Sequence, residues 1–177
     1  MNSKMILRST IAALALSAAA GPAVAEVGSF FGRWQAPSVL EGPWQVTITP
    51  ASCDTGEEFA QFTFVSYLTF AAGGTLIEST SNRGFQPGQR SPGHGYWERT
   101  GRKTYRSHFQ AFVLFDSVLP TTRPNRPYLR GVQTLEQTME FQDSNHWTSD
   151  AQVTFVDSAG KTVDPSGCAK ATAERMP

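Results

Sequence analysis

The sequence is poor in cysteine, in charge and in helical pattern, and each shortage excludes something. Only two cysteines occur, Cys53 and Cys168, so the paired Cys-x-x-Cys spacing of zinc clusters and redox dithiols is absent. Three histidines, His94, His108 and His146, stand far apart with no His-x-x-x-His spacing, and no metal site is expected. Gly93-His94-Gly95 lacks the third glycine of a dinucleotide fingerprint and no helix follows it to hold a pyrophosphate. No Gly-x-Ser-x-Gly elbow occurs, so an activated serine has no support, and no cofactor is expected. Basic and acidic residues balance at 15 each, unlike the strongly basic surface of a nucleic-acid binder. No apolar run reaches the roughly 20 residues that span a bilayer. No stretch keeps a capped 3.6-residue period over three turns, which leaves little room for helix.

What apolar run there is lies at the start. Lys4 and Arg8 precede Ile11 to Ala20, Gly21-Pro22 breaks the run, and Ala23-Val24-Ala25 supplies a small-x-small cleavage pattern. This predicts a cleaved export signal over 1–25, a mature chain from near Glu26, and a periplasmic or extracellular destination. No cysteine follows the run to take a lipid anchor. In an oxidising compartment the even pair Cys53 and Cys168 is expected as a disulfide. Such a bond closes a loop of roughly a hundred residues or more, for which chain entropy gives about 4–5 kcal/mol.

The positive signal is alternation. An aromatic arm over 26–41, with Phe30, Phe31 and Trp34, leads into about eight stretches rich in β-branched and aromatic residues, divided by Gly, Pro, Asn and Asp. They run from Pro43 to Thr49, Phe59 to Phe70, Thr75 to Thr80, His94 to Thr100, Lys103 to Asp116, Tyr128 to Gln142, His146 to Asp157, and Cys168 to Arg175. Most connections have tight-turn chemistry, such as Ala71-Ala72-Gly73-Gly74 and Asp143-Ser144-Asn145. Two are long, Pro-rich and basic: Ser81 to Gly93 and Ser117 to Pro127. The prediction is an all-β domain over 42–177, a single antiparallel up-and-down barrel whose closure removes both sheet edges. Trp44, Val46 and Ile48 share one face, as do Tyr105, Ser107, Phe109, Ala111 and Val113. Ala169, Ala171 and Ala173 form a small-residue row; facing inward, it would leave a cavity unless Trp147 and Phe155 fill that space.

Gly42-Pro43-Trp44 opens the first strand, and Arg175 follows the last. This resembles the lipocalin and wider calycin pattern, and in particular bacterial lipocalin-like exported domains. The resemblance implies an eight-stranded barrel in which Trp44 closes the base and Arg175 packs on its ring. It also implies a small apolar ligand; some barrels of similar shape are cyclases or isomerases.

Candidate chemistry follows from the faces. His94, Tyr96 and Glu98 share one side of a strand, and across the Thr100-Gly101-Arg102 turn lie Tyr105, Arg106 and His108. Glu98, Tyr105 and His108 are the acid/base candidates if this hairpin borders a cavity; otherwise it is an exposed, salt-bridged hairpin. Trp97, Tyr105, Phe109, Gln133, Gln137 and Trp147 are the expected ligand contacts, the glutamines being the sparse polar groups of an apolar wall. If the sixth strand turned its other face inward, the polar set would become Arg130, Glu136 and Glu140; Leu135, Met139 and Phe141 favour the first arrangement. From Arg83 to Arg130 nine basic residues face only Glu98 and Asp116. Arg83, Arg90, Arg123 and Arg126 are therefore expected to ring one mouth as an anion site. The functional expectation is an exported carrier of an apolar or amphipathic acidic molecule. A cofactor-free cyclase or isomerase in the same cavity, and a partner-binding or inhibitory protein acting through basic loops, are the alternatives. Neither nucleic acid nor a membrane span is expected; the oligomeric state stays open.

Overall fold

The computed structural model describes residues 38–115 and 130–177, without the side chains of 164–166. The expected export signal, the first part of the N-terminal arm, and Arg123 and Arg126 lie outside the described residues. Eight strands follow in order: β1 (Gly42–Ala51), β2 (Phe64–Phe70), β3 (Thr75–Thr80), β4 (Gly93–Arg99), β5 (Thr104–Val113), β6 (Gly131–Phe141), β7 (His146–Asp157) and β8 (Thr162–Arg175). Each pairs antiparallel with the next, and β8 returns to β1, so the sheet is a closed barrel. The all-β, eight-stranded meander expected from alternation is the fold observed.

Two boundaries differ from the sequence reading. The stretch from Phe59 to Phe70 is not one strand, because Ala60–Phe62 form a 3-10 turn closed by Phe62 N–H to Phe59 C=O before β2 begins. At the other end β8 starts at Thr162, well ahead of Cys168. There the tight Asp157–Lys161 turn sets Val156 opposite Thr162 and Phe155 opposite Val163, whereas Val153 faces Gly167. Residues 164–166 thus bulge against Thr154, a place where Pro165 costs no ladder bond.

Alternation sorts the side chains as expected. On β6, Gln133, Gln137, Met139 and Phe141 are buried while Glu136 and Glu140 are exposed, which settles the registration of that strand. One end of the barrel is filled. Trp44, Trp147, Phe70 and Phe141 meet there, with ring centroids 5.6 Å apart for Trp44–Phe141 and 5.9 Å for Trp44–Trp147, mostly edge to face. Leu40, Leu76, Tyr105 and Met139 complete this floor. Trp44 Nε1–H donates to Leu40 C=O at 2.8 Å. The Arg175 guanidinium lies 4.3 Å over the Trp44 ring and donates to the carbonyls of Glu41, at 2.9 Å, and Val39. It thereby satisfies the carbonyls of the entering chain and shields the floor from water, the placement expected of Trp44 and Arg175.

The seam of the barrel is β1 against β8, from Trp44 opposite Arg175 to Ala51 opposite Cys168. Just beyond its far end Cys53 is disulfide-bonded to Cys168, with Cα atoms 5.1 Å apart. Both long basic connections leave from this same far end, as alternate connections of a meander must.

Candidate functional site

Above the floor the inward positions become small. Ala151, Ala169, Ala171 and Gly167 occupy β7 and β8 where the floor level carries Trp147. The other strands supply Val46, Ile48, Phe64, Leu68 and Leu135, which do not reach across. A chamber of about 310 Å³ remains, at the lower end of the roughly 300–1,000 Å³ range of small-molecule sites. Its wall is mainly hydrocarbon. Ala169 and Ala171 of the small-residue row therefore leave a void, which Phe155 borders without filling, whereas at the level of Ala173 Trp147 fills the interior.

One polar cluster interrupts that wall. Glu78 is on β3, where Leu76, Glu78 and Thr80 point inward. Arg90 belongs to the long loop before β4, whose backbone is tied to β5 by Ser91 N–H to Phe112 C=O and Leu114 N–H to Gln89 C=O. That tie aims the Arg90 side chain into the barrel. Its Nη1 donates to Glu78 Oε2 at 2.8 Å, and both side chains are buried, 4% and 3% exposed. Arg90 Nη1 also donates to its neighbour's carbonyl at Ser91. Arg90 Nε donates to Gln133 Oε1, and Ser66 Oγ donates to Glu78 Oε1 at 3.2 Å. Phe85 covers the guanidinium, its ring centroid 5.8 Å from Cζ. Deeper, Gln137 donates to Ser107 Oγ at 2.9 Å and accepts from Ser149 Oγ at 3.2 Å, so its amide is paired.

Room for this cluster comes from β4, whose inner face there is Gly93 and Gly95 rather than side chains. A Cβ on Gly93 would lie 2.8 Å from the Phe109 ring and 2.9 Å from Glu78 Oε2. Gly93→Ala is therefore expected to displace both and to cost about 1–3 kcal/mol, as overpacking of a tight interior does; urea denaturation against the parent checks it.

The sequence-derived candidates divide. Phe109, Gln133 and Gln137 line the chamber. Trp97, Tyr105 and Trp147 do not: at their level the barrel is packed solid. Tyr105 and Trp147 are floor residues, and Trp97 packs on Tyr105 and Phe70 at the rim with Nε1–H on Ala71 C=O. Tyr105 Oη accepts from Ser38 Oγ at 3.0 Å, at the closed end. The acid/base candidates are not brought together. Glu98 and His108 point outward, because the inner face of β4 is Gly93, Gly95 and Trp97 and that of β5 is Tyr105, Ser107 and Phe109. Glu98 is opposite Arg106, and His108 stacks on Tyr96 at 5.3 Å with Nδ1 3.2 Å from Glu136 Oε1. The hairpin is thus the exposed alternative, its charged chains turned to the outer face, with no ion pair between its two strands among the described residues.

The expected anion mouth also changes. Arg83 is exposed on the loop, but Arg90 is turned inward and neutralised by Glu78, so it is no free cation at the rim. A wider groove of about 440 Å³ beside the disulfide is rimmed by Arg106, Glu136, Asp150 and Lys170. All four are exposed, and it is an open furrow between charged surface chains. Among the described residues no cluster of His, Cys, Asp and Glu is arranged to hold a metal ion.

Sequence reasoning missed Glu78. In Leu76-Ile77-Glu78 the hydrophobic pattern contradicts the burial, since Ile77 is 51% exposed and Glu78 is buried. The available signal was the register of the tight turn. With Phe70 inward, the Ala71–Gly74 turn sets Leu76 opposite it, and a period of two then carries Glu78 inside.

No family model matches the chain, and no curated protein matches it. Among solved structures it is similar to a redesigned β-barrel, mFAP1, bound to DFHBI, with 16% identity and a TM-score of 0.43 over 77% of this chain and 95% of that one.

Proposed function

We propose that the chain is an exported carrier that holds a small, mostly apolar molecule in the barrel chamber. The observation that carries this reading is the contrast between the two levels of one interior. Aromatic rings fill the floor, while Ala151, Ala169, Ala171 and Gly167 keep about 310 Å³ open above it. Dry interiors are close-packed, and a void of this size forfeits contacts that larger side chains would supply. A chamber kept open by small residues is explained by an occupant. The disulfide fits an exported protein.

The cyclase or isomerase alternative needs an acid or base facing the chamber. Glu98 and His108 face away, and among the described residues the ionisable side chains that do face it, Glu78 and Arg90, are paired with one another. The partner-binding alternative calls for a filled barrel, and the chamber weighs against it.

Native mass spectrometry of protein purified from its own exported compartment tests the proposal. The parent is expected to carry a defined small molecule released on denaturation. Ala169→Phe, which fills the chamber, is expected to be isolated bare while losing no more than about 1–3 kcal/mol of stability. Parent and variant both bare, with equal affinity for apolar probes, would overturn the carrier reading.

A further inference from the structure

The charge state of the polar cluster restricts the ligand more narrowly than the apolar wall does. Among the described residues, Glu78 and Arg90 are the charged ones that line the chamber, and they neutralise each other at 2.8 Å. A carboxylate brought into this space would leave one buried negative charge without a counter-charge, and an ammonium would leave one positive charge. Either is strongly disfavoured away from water. The cluster nevertheless offers a donor. Of the Arg90 donors, Nε is committed to Gln133, and Nη1 to Glu78 and Ser91, whereas Nη2 has no acceptor among the described residues. Nor is Nη2 among the sealed, unpartnered atoms of the interior, where Trp147 Nε1 stands. Arg90 itself lines the chamber, so a donor not committed within the cluster belongs to the chamber wall.

We infer that the chamber selects an electrically neutral ligand whose hydrogen-bond acceptor, a carbonyl or ether oxygen, is taken by Arg90 Nη2, and that Glu78 is the residue that rejects acids. This rests on the carrier reading and departs from the amphipathic acid expected from the basic loops. That expectation counts Arg90, with Arg83, Arg123 and Arg126, as a free cation. Here Glu78 cancels its charge while leaving its donor available, with Gln133 and Phe85 holding the guanidinium plane in place. Glu78 thus acts as a specificity residue through electrostatics, without touching the ligand.

Matched probe pairs test this by isothermal titration calorimetry: methyl ketones and carboxylates on phenyl, naphthyl and straight eight-carbon skeletons. In the parent protein the ketone of the best-fitting skeleton is expected to bind at least about tenfold tighter than its carboxylate. In Glu78→Gln, which keeps the acceptor for Ser66 but leaves Arg90 uncompensated, the order is expected to reverse, with the carboxylate favoured by about tenfold or more. Should that variant not fold, Glu78→Gln/Arg90→Met serves instead, and there the ketone is expected to lose about tenfold. A parent that prefers carboxylates overturns the inference and leaves the carrier reading intact. If no member of any pair binds, both fall.

Discussion

Replacing Cys53 and Cys168 together with alanine is expected to remove about 4–5 kcal/mol of stability, the chain-entropy value for a loop of this length. The bond spans a sequence separation of 115 residues. Against a total of about 5–15 kcal/mol for an ordinary domain, that loss brings the variant near its unfolding threshold. Its position makes the effect more than a change in the unfolded state. Strands β1 and β8 form the seam, the pairing that joins the first strand to the last, and the disulfide holds it at the chamber end beyond the Ala51–Cys168 pair. The opposite end of the seam is locked separately by Arg175 over Trp44. Without the disulfide the seam therefore opens from the chamber end first. Cys168 lines the chamber, so ligand retention falls together with stability. Urea denaturation of the double variant against the oxidised parent gives the first quantity, and hydrogen exchange at Thr49 and Lys170, a cross-seam pair, reports the opening as a local loss of protection. A loss under about 1 kcal/mol would mean that the β1–β8 ladder closes the barrel unaided.

Whether a residue's environment is readable in the sequence depends on whether a period or a loop sets it. On β6 the run Leu135, Gln137, Met139, Phe141 keeps step with a pleated strand, and its faces are legible from the alternation alone. The same holds for the shared face of Ala169, Ala171 and Ala173, of which the first two line the chamber. Trp44 and Arg175 are legible through the spacing of a known barrel pattern. Arg90 is not, because a residue on a long Pro-rich loop has no period, and nothing local says whether it turns in or out. Its direction is fixed by backbone pairing of 89–91 with β5, a contact between segments distant in sequence. Glu98 and His108 mislead for a different reason. Alternation assigns their strand faces but leaves inside and outside open, and Gly93 and Gly95 decide it by bringing β4 against Phe109. Gly95 leaves no room for a side chain there, since its Cβ would fall 1.9 Å from His108 C=O. The two glycines are the readable clue to which face lies within.

Arg90→Met alone is expected to cost about 3–5 kcal/mol, because it strands the Glu78 carboxylate in a site where its side chain is 3% exposed. Glu78→Gln alone is expected to cost a comparable amount by stranding the guanidinium. The double variant Glu78→Gln/Arg90→Met should recover most of that and lie within about 1 kcal/mol of the parent, since removing both charges also removes both desolvation penalties. The amide introduced by Glu78→Gln still offers an acceptor to Ser66 Oγ, which bonds the native carboxylate at 3.2 Å, so the change leaves no hydroxyl orphaned. Urea denaturation of the four proteins gives a coupling free energy, expected at about 3 kcal/mol or more. Additive losses would instead show that water screens the two groups and that they are not a buried pair. The cycle has a meaning beyond stability. If the barrel folds equally well with two neutral side chains at these positions, folding does not require the ion pair. Its presence in an otherwise apolar wall is then accounted for by what enters the chamber, a neutral acceptor accepted and an acid refused.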